Sequence, residues 1–271
     1  MRNALVCLIM AWGVSVTSLA AQASLAAGVT AGSAKLSDSR SEQALSGVLT
    51  FQPRPWLTFT AIPSFVHVRD VVKGQAITNS GLADLPLSAA AAHAFAGPGD
   101  PMVAAALTVA LPTGSAACGL GSGQTSAGLD LGFGVSPNAR VRVSADASRT
   151  VSHASSTSSL SAPRATSLLM GAGYEISPAW RVDGSLGIDV GTADTTQALS
   201  RTVGAGLTHR LGALLALTVD GSAGLSAGSP KWVISVGLGT AFASTSPVAL
   251  SAPLKRLRSG FTGGVKGGKS C

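Results

Sequence analysis

The sequence predicts an all-β protein, a closed up-and-down antiparallel transmembrane β-barrel of about twelve strands. Three observations carry that reading. The chain is 46% hydrophobic and only 11% charged, yet after residue 23 it contains no uninterrupted apolar run of about eighteen residues, the length a membrane helix needs. Its body is built of extended runs in which apolar residues alternate with polar residues or glycine. The breaks between those runs alternate between short turns and longer polar loops, as in a barrel with tight turns at one mouth and loops at the other. A soluble all-β exported domain is the competing class, but soluble domains carry about a quarter charged residues. A strand with every second residue facing lipid accounts for a chain that is apolar overall and never apolar for long.

The first 23 residues are set apart from the fold. Arg2 gives a short basic start, residues 5–16 an apolar core, and Ala21-Gln22-Ala23 a small-x-small cleavage pattern. Residues 1–23 are therefore read as a signal peptide, removed near Ala23 on export. Cys7 lies inside the apolar core without a lipobox before it, which excludes a lipoprotein. Residues 24–242 are read as the barrel. Residues 243–271, rich in Ser, Gly, Pro and Lys, are read as a disordered basic periplasmic tail.

The barrel begins with an expected strand near 26–36. Short turns follow near 52–55, 97–101, 136–138, 177–179 and 211–213. Longer loops are expected near 37–42, 69–81, 113–124, 152–164, 191–197 and 225–230. The alternation is clearest from Ala127 onward. Ala127, Leu129, Leu131, Phe133 and Val135 share one face, with Gly128, Asp130, Gly132 and Gly134 on the other. Past the Ser136-Pro137-Asn138 turn, Ala139, Val141, Val143, Ala145 and Ala147 continue the apolar face against Arg140, Arg142, Ser144, Asp146 and Ser148. Trp180, Val182, Leu186, Ile188 and Val190 repeat the pattern. A last alternating strand runs from Trp232 to an aromatic, Phe242. It is similar to the terminal signal read by the outer-membrane assembly machinery, which makes that machinery an expected partner beside outer-membrane lipid.

With the apolar face toward lipid, the lumen receives Asp130, Arg140, Arg142, Asp146, Arg181, Asp183, Asp189 and Asp220, together with Glu175. A charge on the lipid face would cost about 2–4 kcal/mol at mid-bilayer, which sets the orientation. These residues suit either a polar path for a solute or an Arg–Asp network bracing the wall. Glycines at inward positions, such as Gly128, Gly132 and Gly134, either leave open volume or let the strands coil tightly.

Several classes are excluded. Of the formal net charge of +7, five units belong to Lys255, Arg256, Arg258, Lys266 and Lys269 in the tail and one to Arg2, leaving +1 for the body. No basic face for nucleic acid results. Cys118 and Cys271 form no disulfide framework, although export permits a bridge, and no ligand cluster implies a metal or other cofactor. His67 and His153 are expected near the loop ends of strands, His93 and His209 near the turn ends. None is set beside a defined nucleophile, so the chain is not read as an enzyme. The mid-chain LPTG lacks the flanks of a sorting signal. The GLGSG string lacks the Lys of a phosphate cradle.

The stretch LPTGSAACGLGSGQTSAGLDLGFGVS from Leu111, with GLADLPLSAAAAHAF from Gly81 to Phe95 before it, resembles the outer-membrane barrel family called the MetA-pathway of phenol degradation family. The shared pattern is a strand entering a Leu-Pro-Thr-Gly loop, a Gly-rich core and an alternating strand after it. The resemblance implies an outer-membrane channel or transporter for small hydrophobic or aromatic solutes. The alternative is a non-conducting structural or surface-interaction barrel. This chain departs from the family in its tail after Phe242 and in aromatics of only 4%. Pro63 and Pro86 also fall inside expected strands, where each removes a ladder hydrogen bond. A bulge or bend is expected there.

Overall fold

The computed structural model describes residues 23–152, 164–192, 200–227, 229–240 and 271, and every regular element in it is a β-strand. β1 (Ser24–Lys35) and β2 (Arg40–Arg54) pair without interruption from Ser24 opposite Gln52 to Lys35 opposite Ser41. The chain returns in two pieces. β3 (Leu57–Ala61) pairs with one half of β2 and β4 (Ser64–Val72) with the other. β5 (Gln75–Leu82) pairs with β4, and β6 (Leu85–Ala94) with β3. The two breaks, at Ile62-Pro63 and Ala83-Asp84, lie side by side. Pro63 has no N–H to offer a ladder; its carbonyl instead accepts from the Gly47 N–H (2.8 Å), and the Pro86 carbonyl accepts from the Ile62 N–H (3.1 Å). The bend expected at Pro63 is present. Pro86 itself stays within β6, just beyond the second break.

Antiparallel neighbours then follow in chain order: β7 (Met102–Leu111), β8 (Ser126–Asn138), β9 (Val141–Ser152), β10 (Arg164–Ser177), β11 (Trp180–Thr192), β12 (Ser200–Arg210), β13 (Ala216–Gly224) and β14 (Trp232–Gly239). β14 pairs with β1 and closes the sheet. With β3/β4 and β5/β6 each taken as one interrupted strand, the molecule is a closed antiparallel twelve-strand barrel.

The closing seam is tight. Gly28 lies opposite Gly239, and a Cβ on Gly239 would collide with the Gly28 backbone. Beyond the strand, the Thr240 N–H donates to the Ala27 carbonyl, and the Ala27 N–H donates to the Thr240 hydroxyl, both at 2.8 Å. At the far end of the seam Lys231 pairs with Asp38. Its hydrogen bond, and then its charge, hold the Asp38 carboxyl below its ordinary range.

Two expectations are corrected by these elements. Residues 69–81 are not a long loop, because β4 and β5 run through them and reverse at Lys73 (φ 51) and Gly74 (φ 81). Two successive left-handed residues give the turn whose twist matches a hairpin. β2 likewise begins at Arg40, inside the loop expected at 37–42. The described part of the last strand ends at Gly239. Phe242, the expected signal peptide, most of the loops expected at 152–164 and 191–197, and all of the expected tail but Cys271 lie outside the described residues.

Burial separates the two faces of the wall. Leu129, Leu131, Phe133, Leu186, Ile234 and Val236 are exposed on the outside. On the inside Ser185, Thr202, Thr208, Thr218, Asp220 and Ser235 are buried. Polar residues inside and apolar residues outside invert the arrangement of a soluble sandwich.

Candidate functional site

The interior wall is the candidate site, and most of the sequence-predicted residues line it. Asp130 on β8, Arg142 and Asp146 on β9, Arg181, Asp183 and Asp189 on β11 and Asp220 on β13 all occupy inward positions of the alternation. Arg140 does not. It sits exposed in the turn between β8 and β9, where its N–H and that of Val141 donate to Asn138 Oδ1 at 2.9 Å. The Asn138 side chain holds Arg140 in the turn, although the Arg140 carbonyl still accepts from the Glu175 N–H of β10 at 2.8 Å.

Four inward charges interlock toward the turn end. Arg142 lies 3.7 Å from Glu175, Glu175 is the cross-strand partner of Arg181, and Arg181 Nε donates to Asp183 Oδ2 at 3.0 Å. This group braces β9, β10 and β11. Asp130, Asp146, Asp189 and Asp220 lie outside it, and Asp220 is only 2% exposed. The inward glycines serve these acids: Gly132 faces Asp146 and Gly173 faces Asp183 across the ladder. In both cases a Cβ would lie 2.7 Å from the carboxylate oxygen. The missing side chain is room for a neighbouring aspartate, a role beyond the open volume or tight coiling expected of glycine.

A second cluster, which sequence reasoning missed, sits at the loop end. Arg40 on β2 is 4% exposed and Glu42 is 1%. Arg40 donates to Glu42 Oε1 through Nε (3.1 Å) and Nη2 (2.7 Å), approaches Asp70 Oδ2 at 3.5 Å, and donates to the Gly119 carbonyl at 2.9 Å. Assigning 37–42 and 69–81 to loops hid these residues. The signal available was their spacing, since Arg40, Glu42 and Ala44 keep strict period two.

The Gly119 contact draws in the segment 112–125 between β7 and β8, the one carrying the Gly-rich motif. It folds onto the inner face rather than outward. Asp84, at the second strand break, accepts from the Gly114 N–H (3.1 Å), the Ser122 N–H (2.6 Å) and the Ser122 hydroxyl (2.7 Å). The Thr113 hydroxyl donates to the Ala83 carbonyl (2.7 Å), and Asn79 Nδ2 to the Cys118 carbonyl (2.8 Å). Leu120 is buried with Ala44, Val66, Val68 and Ala83, and Cys118 packs on that cluster. Val66 and Val68 are thus apolar yet inward, because the folded segment covers them. A Cβ on Gly121 would collide with Asp84, and one on Gly114 with the Leu120 backbone. The motif is glycine-rich because the segment crosses itself and the wall at backbone distance. Cys118 is also joined to Cys271 by a disulfide, Cα to Cα 5.8 Å.

Of the histidines, His67 faces outward with Nδ1 2.6 Å from the Ser80 hydroxyl, and His209 stacks on Trp180 at 4.0 Å. His93 meets Phe95 edge-on at 4.7 Å. His153 lies outside the described residues. A groove of 610 Å³ beside His67, lined by Ala31, Ser33, Leu45, Phe65 and Trp232, opens on the outer face and is separate from the lumen.

No family model matches the chain. No curated protein matches it either. Solved structures do. An outer membrane channel from Pseudomonas putida F1 is similar with a TM-score of 0.65 at 15% identity, over 80% of this chain and 94% of that one. The KdgM porin gives a TM-score of 0.55 at 9% identity, over 79% of this chain and 98% of its own. The NanC porin gives 0.53 at 9% identity, over the same 79% and 98%. At such identities the likeness is one of fold.

Proposed function

We propose that this chain is an outer-membrane channel that passes small hydrophobic or aromatic solutes, with its tight turns in the periplasm and its loops outside. The observation that carries the reading is the inverted wall: an apolar outer face around a closed barrel whose inner face holds Asp130, Asp146, Asp189 and Asp220. Such a wall suits a bilayer around it and water or solute within it. The likeness in fold to an outer membrane channel and two porins supports the same class. The solute class rests on the resemblance of the Leu111 motif to the phenol-degradation family. The rest of the reading is a signal peptide cleaved near Ala23, insertion by the outer-membrane assembly machinery and no catalysis.

The inward fold of segment 112–125 favours a second reading, a barrel whose mouth is too narrow to conduct. Reconstitution of the purified protein in planar bilayers separates the two. Discrete conductance steps are expected. A folded, heat-modifiable barrel that gives none would overturn the channel and leave the structural barrel.

A further inference from the structure

Cys271 ends the sequence, yet it is fixed to the inner wall at the loop end of the barrel. Besides its bond to Cys118, its N–H donates to Asn79 Oδ1 at 2.9 Å. Asn79 is a buried, inward residue of β5. Thr240 stands at the other end of the barrel, hydrogen-bonded to Ala27 near the start of β1. The described chain therefore breaks off at Thr240 at the turn end and is described again at Cys271 inside the loop end. Two routes join these points, through the lumen or around the outside.

Charge decides between them. The segment contains Lys255, Arg256, Arg258, Lys266 and Lys269 and no acidic residue. Outside, these side chains would lie along the apolar face, each costing about 2–4 kcal/mol at mid-bilayer. Inside, β8 to β13 present Asp130, Asp146, Glu175, Asp183, Asp189 and Asp220 against Arg142, Arg181 and Arg210. The inner wall is also covered: Thr202, Thr218, Asp220 and Ser235 are at most 5% exposed. The folded segment 112–125 packs instead on β2 and β4. The inward hydroxyls of Ser185, Thr202 and Thr208 are buried without a hydrogen-bond partner.

We propose that the lumen is the docking surface for the chain's own segment 241–270, its basic side chains set against the luminal carboxylates and its end locked by the Cys118–Cys271 disulfide. This is an alternative to a disordered basic periplasmic tail and does not depend on the channel reading.

The test uses the mature full-length protein. Without reductant, the two thiols should resist iodoacetamide. Trypsin should cut at Lys255, Arg256, Arg258, Lys266 and Lys269 at least tenfold more slowly in the folded protein than in the heat-unfolded one. Replacing Asp130, Asp146, Asp189 and Asp220 together by Asn, with Cys271→Ser, should restore most of the lost cleavage rate. Cleavage of the folded wild type at the unfolded rate would overturn the proposal. So would protection unaffected by the Asn replacements, which is the outcome for a segment running outside. If those replacements prevent folding, 1 M salt on the Cys271→Ser protein serves in their place, and unchanged protection again overturns it.

Conductance keeps the two proposals distinguishable. A chain ending at Phe242 should conduct several-fold more than the full chain. Equal conductance would sink the docking and spare the channel. Protection with no conductance from either chain would do the reverse.

Discussion

Asp84 is the residue on which the loop-end geometry turns. Its carboxylate takes three hydrogen bonds from segment 112–125, two of them from backbone N–H groups. Bonds to a charged acceptor contribute about 1.5–3 kcal/mol each. Asp84→Ala should therefore free the segment, and limited proteolysis should find new cleavage within 112–125 while the barrel core stays intact. Arg40 presents the opposite balance. Removing one member of a buried pair leaves a charge stranded and costs about 3–5 kcal/mol. Arg40→Ala should thus lower the urea midpoint of the folded barrel strongly, whereas Arg40→Met with Glu42→Leu should recover much of it. The luminal acids of β8 to β13 were legible in the sequence because a charged residue at an inward position of a clean alternation has one place to go. Asp84, Arg40 and Glu42 were not. Their significance comes from contacts to Gly114, Ser122 and Gly119, residues far along the chain that no local period links to them.

Strands were legible where both flanking turns were short. β8 and β9 follow the expected faces from Ala127 to Val135 and from Val141 to Ser148, with the turn displaced to Ala139 and Arg140. The hairpin of β4 and β5 was misread because Arg69, Asp70, Lys73, Gln75, Asn79 and Ser80 make it look like a polar loop. Among the described residues β5 has no strand on its second side, so its polar face does not betray a poor strand. It marks one that stands above the rest of the wall, with polar side chains along its length. The seam between β1 and β14 makes a sharper demand. Gly239→Val would drive a branched side chain into the Gly28 backbone, and overpacking of that kind costs about 1–3 kcal/mol or more. The expected result is a large loss of heat-modifiable, membrane-inserted barrel, read by mobility in unboiled gels. Ser235→Ala, also inward on β14 but away from the collision, should leave assembly unchanged.

At the scale of the whole molecule, the pairing of β14 with β1 closes the described wall except along β5, and the outer face of that wall is apolar. The protein should remain in the membrane fraction after carbonate washing. Release into the soluble fraction would be incompatible with an apolar face of this extent. The same closure bears on how the barrel comes to exist. The contacts that seal it, between Ala27 and Thr240, join residues 213 apart in the chain. Each earlier hairpin can zip from its own turn, but this last pairing must wait for the entire polypeptide and bring its two ends together. A nascent chain lacking β14 has two unsatisfied strand edges and no means of hiding either. Assembly is therefore expected to be slow, all-or-none in its final step, and reliant on an escort that shields both edges until they meet.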